Sequence, residues 1–502
     1  MNFAAQLASV CRGAVNAENL ANLARLALAE GGEEQALPWL MRGARQGTDA
    51  RTWQWTGLLQ RALDEHDAAL QSFARAARLA PSDSGIAHGR AHVAFEAGID
   101  AVSLFQQARR LSPGSGDVLI GLAAAQMAIG KGEEAAAGLD AVLAAAPLWL
   151  QGHMQLAQLR STIGQGNIVA ASLERALSQL PGEATLWRGL FDLYLRRENY
   201  AELGNVLTRA RTAGQMSELC AEYEAIVASE LGAEHADALF DKAPGAAQPR
   251  LALWRIRHLL RTTRADQALA LIDAELKADR GTAVWPYAAA AWRLTGDPRS
   301  AWLEGDERFV VVMNLGQEFP AVDRLAVHLR SLHVAKGEYL DQSVRGGTQT
   351  DGPLFSRIDP AIRAVRAAMT RAVERYIRQL PPTDSSHPLL AHRRDRRVRF
   401  AGSWSVRLGD AGHHANHVHP QGWISSALYV ALPPRQPGEA VDAGWLTLGE
   451  PQATLGLDLC PTRAVEPRVA QLVLFPSWMW HGTRPFAEGE RLTIAFDVAP
   501  PR

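Results

Sequence analysis

Residues 53–81 read WQWTGLLQRALDEHDAALQSFARAARLAP, and this stretch predicts two helices packed as an antiparallel pair. Small residues such as Gly57 and Ala69 alternate with large ones such as Phe73 at helical spacing. Small side chains let one helix approach the other closely, and large side chains fill the gap that remains. Pro81 then ends the second helix, because proline lacks the backbone N–H that the helix needs.

The same pattern returns along the chain with a nearly constant period. Prolines follow one another at spacings of 32, 34 and 34 residues, at Pro81, Pro113, Pro147 and Pro181. Periods of this length are typical of stacked helix pairs, in which each pair buries its apolar face against the next. The pattern is clear over 50–181 and looser over 18–49 and 182–300. The sequence therefore predicts a helical array over residues 1–302.

This repeat resembles the tetratricopeptide repeat. Arrays of that family bind protein or peptide segments in a concave groove, so the resemblance implies a protein or peptide partner for residues 1–302. A second interpretation is that the array only supports the C-terminal part of the chain or forms a homodimer. The repeat pattern alone does not choose between these roles.

The overall composition excludes some classes of partner. The chain has 502 residues with 52 Lys and Arg against 53 Asp and Glu, so neither nucleic acid nor an anionic membrane is expected as the main partner. The basic run 393–399 is interpreted as a solvated strand edge. The three cysteines stand far apart, which argues against a cysteine zinc site and for a reducing compartment. Without a signal sequence or a long apolar run, we expect a cytoplasmic protein.

Residues 303–502 change to an α+β pattern, with helices first and strands after. A buried strand is expected at 309–313, and amphipathic helices at 321–334 and 358–380, with a polar glycine loop at 345–350 between them. Short alternating segments separated by Gly, Pro and Asp then follow, at 398–408, 422–432, 444–448, 471–475 and 491–498. Such a series is typical of a small β-sandwich or barrel.

Histidines are concentrated in this second part, where seven of the 15 fall between 387 and 481. His417 and His419 are two residues apart, and on a strand they would point to the same face, close enough to bind one metal ion. His481 ends the apolar run 472–480, and Arg491 opens the last predicted strand ten residues later. We therefore expect a metal site built from two neighbouring histidines and a remote one.

This combination resembles the Fe(II)- and 2-oxoglutarate-dependent oxygenases, which fold as a double-stranded β-helix (jelly-roll). That superfamily uses a His-x-Asp/Glu pair, a distal His, and an Arg-x-Ser/Thr about ten residues beyond it. More narrowly, residues 340–502 resemble a bacterial group of these oxygenases that carries N-terminal tetratricopeptide repeats. The segments that carry this resemblance are 347–350, 403–407, 416–420, 422–426 and 475–478.

The resemblance implies the cofactors and the roles of the site residues. It implies that Fe(II) is held by His417, His419 and His481, and that the co-substrate 2-oxoglutarate chelates the iron. Arg491 would pair with the far carboxylate of the keto acid, and Thr493 would add a hydrogen bond. With molecular oxygen, the implied reaction is hydroxylation of a protein or peptide side chain guided by the array.

One position departs from the superfamily, because His419 stands where the carboxylate ligand is expected. Three explanations stay open: His419 is a true third ligand, His417 and His481 hold the metal alone with water, or a carboxylate such as Asp410 or Glu439 comes from elsewhere. Histidine also binds Zn, Ni and Cu, so iron is implied by the resemblance and not by the ligand type.

Two other functions compete with the 2-oxoglutarate oxygenase. One is a cupin-like three-histidine dioxygenase that uses no keto acid, against which Arg491 and Thr493 argue. The other is a non-catalytic repeat scaffold whose C-terminal domain only binds partners, which the missing carboxylate favours. His413 and His414 are expected in a loop or as groups that orient a ligand.

Overall fold

The computed structural model describes residues 2–13, 15–47, 49–214, 217–243, 249–278, 281–316, 319, 321–340 and 343–501. Within these residues a long helical array precedes a part that combines two helices with two antiparallel sheets. The predicted multidomain fold class, a helical repeat array followed by an α+β domain, is therefore confirmed.

The array runs through helices α1 to α19. Their bounds are α1 Phe3–Cys11, α2 Ala17–Glu30, α3 Glu33–Gln46, α4 Ala50–Ala62, α5 His66–Leu79, α6 Ser84–Glu96, α7 Val102–Leu111, α8 Gly116–Ala128, α9 Gly132–Ala145, α10 Leu150–Thr162, α11 Ala171–Gln179, α12 Ala184–Arg196, α13 Tyr200–Thr212, α14 Ser217–Glu230, α15 Ala236–Lys242, α16 Pro249–Arg261, α17 Ala265–Lys277, α18 Trp285–Thr295 and α19 Arg299–Glu304.

Local sequence explains where these helices begin, end and touch. Asp49 caps α4 by accepting hydrogen bonds from two backbone N–H groups of its first turn, and Asp83 caps α6 by accepting one from the N–H of Ile86. The four periodic prolines each lie two residues beyond a helix, after α5, α7, α9 and α11. A Cβ built on Gly57 would come within 2.7 Å of the Phe73 ring, so only glycine permits this approach of α4 to α5.

The second part contains α20 Val322–Leu332 and α21 Pro360–Gln379. Its strands are β1 Val311–Asn314, β2 Val344–Gln349, β3 Phe400–His414, β4 Ile424–Ala431, β5 Leu446–Leu448, β6 Arg463–Val465, β7 Gln471–Pro476, β8 His481–Thr483 and β9 Arg491–Val498. The major sheet has the order β1-β7-β4-β9-β3-β2, and the minor sheet has the order β6-β5-β8, all antiparallel. Beyond β4, the chain thus moves back and forth between two facing sheets, as predicted for a double-stranded β-helix.

Alternation along the strands separates two cores. In β7, Leu472 and Leu474 pack with α20 and α21 on the outer face of the major sheet, whereas Val473 and Phe475 point to its inner face. The inner face continues into the minor sheet and into α16 to α19, which share one apolar cluster. The end of the array therefore covers the β domain directly.

Three sequence predictions about local structure were wrong. The expected glycine loop at 345–350 is the edge strand β2, and the left-handed Gly346 (φ +68°) accommodates a bulge in its pairing with β3. His417 and His419 lie in an irregular segment after β3 and not on a regular strand. His481 begins β8 and does not end the preceding strand, since residues 477–480 form a turn after β7.

The basic run 393–399 is not a strand edge, and only part of it is solvated: Arg393 pairs with the exposed Asp395 at 2.7 Å, whereas other arginines of the run reach the array. Arg399 forms an ion pair with Glu33 at 2.9 Å, and Arg397 pairs with Glu65 at 3.0 Å. Since both glutamates belong to the array, these arginines hold the β domain against the first repeats. No local sequence pattern indicates these glutamates as partners, because they lie more than 300 residues away along the chain.

A second contact with the array comes from the extended segment 334–340, which follows α20. The backbone N–H groups of Lys336 and Gly337 both donate to the carbonyl of Thr162 at the end of α10, at 2.8 and 2.9 Å. The Ser161 hydroxyl in turn donates to the carbonyl of Glu338 at 2.7 Å. Part of the array is therefore occupied by the chain's own segment.

None of the described helices is long and apolar enough to cross a membrane.

Candidate metal and co-substrate site

Backbone hydrogen bonds bring the three predicted histidines together. His417 and His481 form an isolated antiparallel bridge, with reciprocal N–H to carbonyl bonds of 2.9 and 3.0 Å. The N–H of His419 donates to the carbonyl of Ser477 at 2.9 Å. The segment that carries the His-x-His pair is thus fixed beside the turn that leads into β8.

The side chains converge as well. The ring centroids lie 4.2 Å apart for His417 and His481, 4.9 Å for His417 and His419, and 5.0 Å for His419 and His481. One nitrogen of each ring falls within 4.8 Å of the others, which is a spacing that one metal ion can bridge. Among the described residues, this is the one group of three or more His, Cys, Asp or Glu with that property.

Hydrogen bonds at Nδ1 determine which nitrogen each ring offers. His417 Nδ1 lies 2.9 Å from the carbonyl of Ala415, and His481 Nδ1 lies 2.9 Å from the carbonyl of Met479. His419 Nδ1 lies 2.8 Å from both carboxylate oxygens of Asp497. Because carbonyls and carboxylates only accept, each Nδ1 carries a proton, and in a neutral ring Nε2 then keeps its lone pair. That is the form in which histidine binds a metal.

Burial keeps two of these rings, His417 and His481, neutral. It lowers the pKa of His417 and of His481 well below the ordinary value, and the neighbouring imidazoles lower both further. Burial, with Arg491 nearby, also lowers the pKa of His414 to about 3. Neutral imidazoles at ordinary pH leave their Nε2 lone pairs available to a metal.

Arg491 lies in the same cavity as the three histidines. It is 2% exposed, and its Nη1 donates to the carbonyl of Gly444 at 2.6 Å. Its guanidinium carbon sits 5.0 Å from the ring centre of Tyr429, a cation–π contact. Burial lowers the pKa of this guanidinium from its ordinary value, yet arginine stays protonated in proteins.

One polar atom of this cation lacks a partner. Arg491 Nε is buried without a hydrogen bond, and no carboxylate of the described residues pairs with Arg491. A buried charge of this kind is costly unless an anion neutralises it. The cavity therefore offers a place for a carboxylate, which fits the distal carboxylate of a keto diacid.

Strand β9 supplies this wall of the cavity by alternation. Leu492, Ile494, Phe496 and Val498 point into the outer core, whereas Arg491, Thr493 and Ala495 line the cavity. Thr493 is 7% exposed and lies two residues from Arg491, on the same face. The structure thus places both predicted co-substrate residues beside the histidines.

Neither of the two carboxylates suggested from sequence reaches the site. Asp410, on an exposed part of β3, accepts a hydrogen bond from the backbone N–H of Gly489, and Glu439, in an exposed loop, accepts one from that of Ala487. Neither lines the cavity. Of the three explanations for the missing ligand, an Asp410 or Glu439 ligand is therefore wrong.

Sequence reasoning missed three residues of this site: Asp497, Tyr429 and Ser343. Asp497 continues the inward series of β9 that begins at Arg491, so strand alternation already contained a signal for it. The Ser343 hydroxyl lies 3.1 Å from His414 Nδ1 and 3.2 Å from His417 Nε2. No pattern in the sequence connects Ser343 to these histidines, because they are 71 and 74 residues away.

A cleft of about 1380 Å³ leads from the histidines towards the array. One side consists of Trp404, the segment 413–419 and Arg484 of the β domain. The opposite side consists of residues 195–200, at the junction of α12 and α13, and of residues of α16 that include Trp254 and Arg257. The array therefore forms one wall of the approach to the candidate site.

Comparisons with known proteins agree with this organisation. A family model described as "Putative 2OG-Fe(II) oxygenase" matches residues 402–497, and one described as "Tetratricopeptide repeat" matches residues 99–159. A comparison with curated proteins gave no match.

Solved structures similar to the chain include tetratricopeptide repeat proteins. One from Parabacteroides merdae ATCC 43184 is 16% identical, covers 43% of this chain and 88% of its own, and has a TM-score of 0.32. YrrB, described as a TPR protein with an unusual peptide-binding site, is 15% identical, covers 36% and 95%, and has a TM-score of 0.29. This chain thus carries a tetratricopeptide repeat region and, C-terminal to it, a domain matched by the 2OG-Fe(II) oxygenase family.

Proposed function

We propose that this protein is an Fe(II)- and 2-oxoglutarate-dependent oxygenase that hydroxylates a side chain of a protein or peptide. The observation that carries the proposal is one cavity in which three imidazoles face a buried Arg491 that no carboxylate of the described residues neutralises. A metal site and an anion site that share one cavity fit an iron ion and a small diacid bound side by side. We take residues 1–302 as the array and residues 303–502 as the oxygenase domain.

In this proposal, His417, His419 and His481 hold the iron through Nε2. Three nitrogen donors suit Fe(II) but also Zn, Ni and Cu, so the anion site distinguishes the proposed chemistry. Bound iron and 2-oxoglutarate would together supply the oxidising power that turns a C–H bond into a C–OH bond.

The chain's own groups bind, orient and exclude water. Arg491 pairs with the distal carboxylate, while the Tyr429 and Thr493 hydroxyls donate hydrogen bonds to it. Phe475 and Leu446 close the apolar side of the cavity. A dry, positively charged recess of this kind selects a dianionic co-substrate over neutral molecules.

The cleft supports a polypeptide substrate. Its volume of about 1380 Å³ exceeds the roughly 300–1,000 Å³ typical of small-molecule pockets. Tyr200 and Trp254 from the array, with Trp404 from the oxygenase domain, offer aromatic surfaces to an extended chain. In this proposal, the substrate binds to the array along the wall formed by Tyr200 and Trp254. Elsewhere, Glu33, Glu65 and Thr162 of the array already contact other segments of the same chain.

The test of the reaction is succinate formation. Anaerobically purified protein, reconstituted with Fe(II), is given 2-oxoglutarate, oxygen and a proteolytic digest of total cell protein. We expect succinate, together with isotopically heavy oxygen in a subset of peptides when labelled dioxygen is used. Oxygen incorporation without succinate would instead support a three-histidine dioxygenase that uses no keto acid.

Two variants test the substrate wall. Trp254→Ala is expected to reduce peptide hydroxylation while iron binding stays unchanged, since Trp254 lies on the array side of the cleft. Leu148→Ala, at a residue that is 55% exposed and does not line the cleft, serves as the control. If both variants hydroxylate peptides equally well, the array wall does not take part in substrate recognition.

A further inference from the structure

Asp497 holds a position that the sequence did not reveal. Both of its carboxylate oxygens lie 2.8 Å from His419 Nδ1, and one accepts a hydrogen bond of 2.6 Å from the Ser425 hydroxyl. Its side chain is only 13% exposed. The carboxylate is thus fixed from two sides, by the ring it orients and by a neighbouring strand.

The three imidazoles are not equivalent in this respect. His417 and His481 donate from Nδ1 to neutral backbone carbonyls, whereas His419 alone donates to an anion. Within the described part of the chain, His419 is the one ring of the three that faces a carboxylate. The negative charge therefore lies one hydrogen bond away from the ring that occupies the usual carboxylate position.

The surroundings of Asp497 are shaped for this contact. Ser425 donates to the carboxylate, and the Ser425 and Ser477 hydroxyls lie 2.9 Å apart. A Cβ on Gly422 would come 2.5 Å from Ser477 Oγ and 3.3 Å from Asp497 Cβ. A larger residue at 422 would displace the groups that hold the carboxylate.

A carboxylate that accepts from a metal-binding imidazole fixes the tautomer and the orientation of the ring and raises its basicity as a ligand. A site with three neutral ligands also carries one more positive charge than a site with one carboxylate ligand. An anion that hydrogen-bonds one of the rings offsets part of that charge.

We propose that Asp497 is a positioning residue that supplies, through His419, the negative charge that a carboxylate ligand would otherwise bring to the metal. The inference rests on the proposed metal site, and it assigns His419 as a true third ligand. It does not depend on 2-oxoglutarate or on turnover, because it concerns metal affinity alone.

The experiment is a titration of metal-free full-length protein with Co(II) and with Mn(II) under anaerobic conditions. Asp497→Asn keeps the shape of the side chain but removes its charge. We expect it to weaken metal binding by roughly 10- to 100-fold and to shift the visible Co(II) spectrum. The matched control is Asp458→Asn, at an exposed aspartate outside the cleft, which should bind as the unaltered protein does.

A double-variant comparison separates this role from a general structural one. If Asp497 acts through His419, the Asp497→Asn change should weaken metal binding little further once His419→Ala is present. Should Asp497→Asn fail to fold, Ser425→Ala removes one support of the carboxylate, and a several-fold loss is expected.

The outcomes distinguish the two proposals. Normal metal affinity and an unchanged Co(II) spectrum in Asp497→Asn would overturn the inference, as would fully additive losses in the double variant. If the unaltered protein binds neither Co(II) nor Mn(II), the proposed metal site fails, and this inference fails with it. Metal binding without succinate formation would contradict the proposed reaction only.

Discussion

A buried cation without an anion is the most informative single group in this protein. Arg491 combines 2% exposure with an unpartnered Nε, and its close contacts are a carbonyl and an aromatic ring. Folding alone gives no reason to keep such a charge, since replacing it with an apolar side chain of similar size often stabilises a protein. A ligand that neutralises it does provide a reason.

Arg491→Met is therefore expected to affect binding and stability in opposite directions. Loss of the charge pair should weaken 2-oxoglutarate binding by on the order of 2–4 kcal/mol, which is roughly 30- to 1,000-fold. The midpoint of thermal unfolding without ligand should stay equal or rise. Calorimetric titration and thermal scans measure both, with Arg435→Met as an exposed control. Unchanged co-substrate affinity would show that Arg491 does not bind the diacid.

The environment of His333 predicts that the free energy of unfolding depends on pH. Burial, with Arg407 nearby, lowers its pKa from 6.5 to about 4, while its two ring nitrogens lie near the hydroxyls of Thr348 and Ser405. The unfolded chain then binds a proton at higher pH than the folded one. The contribution of His333 to the free energy of unfolding is therefore fully present above pH 6.5. It is lost between pH 6.5 and 4, by on the order of 3 kcal/mol.

The measurement is chemical denaturation across this pH range, comparing the unaltered protein with His333→Gln. The variant should show a shallower loss of unfolding free energy on acidification, because its amide does not titrate. Other buried histidines contribute equally to both proteins and cancel in the comparison. Parallel pH profiles would contradict the assignment.

Among the secondary-structure elements, the helix pairs depend on glycine at their closest approach. A Cβ on Gly89 of α6 would collide with the Phe73 ring of α5, just as one on Gly57 of α4 would. Phe73 is fully buried between these helices. Both glycines are therefore explained by packing and not by turn geometry, since they lie inside helices.

Gly89→Leu should destabilise the array by about 1–3 kcal/mol, the usual range for an overpacked core. Gly138 in α9 provides the matched control, because a Cβ there meets no atom within 4 Å. Gly138→Ala should stabilise its helix by roughly 0.5–1 kcal/mol. Urea denaturation of both variants measures the change in the free energy of unfolding, which should be negative for Gly89→Leu and positive for Gly138→Ala. If Gly89→Leu leaves the free energy of unfolding unchanged, Phe73 is packed more loosely than described.

At the level of the whole molecule, the array and the β domain are not independent. Helices α16 to α19 share an apolar cluster with the minor sheet, and Trp480 Nε1 donates to the carbonyl of Pro286 at 3.0 Å. Ion pairs such as Arg399 with Glu33 connect the first repeats to the same domain. The array thus forms part of the structural support of the site as well as one wall of its cleft.

Residues 303–502 alone should consequently fail to fold cooperatively, because the cluster shared with α16 to α19 would face water. A longer fragment, 249–502, keeps those helices and is expected to recover a cooperative transition. Circular dichroism during heating measures both. A fragment 303–502 that unfolds at the midpoint of the full-length protein would show that the array contributes nothing to this core.

Much of this architecture was predictable from local pattern. The helical period and the regular prolines predicted the array, and strand alternation predicted β9 over Arg491–Val498 as it is found. The edge strand β2 was missed because its glycines indicate a loop unless the pairing partner β3 is known. The spacing from His481 to Arg491 pointed to two side chains that the structure brings into one cavity, although the details of the surrounding strands were wrong.

Helix pairs and strand faces follow from the order of residues alone, because periods of 3.6 and 2 are properties of neighbours along the chain. Contacts between distant residues do not have such a period. Asp497 lies 78 residues from His419, and Arg399 lies 366 residues from Glu33. The anion beside the third imidazole, and the chain segments that occupy part of the array, therefore became visible only in the folded protein.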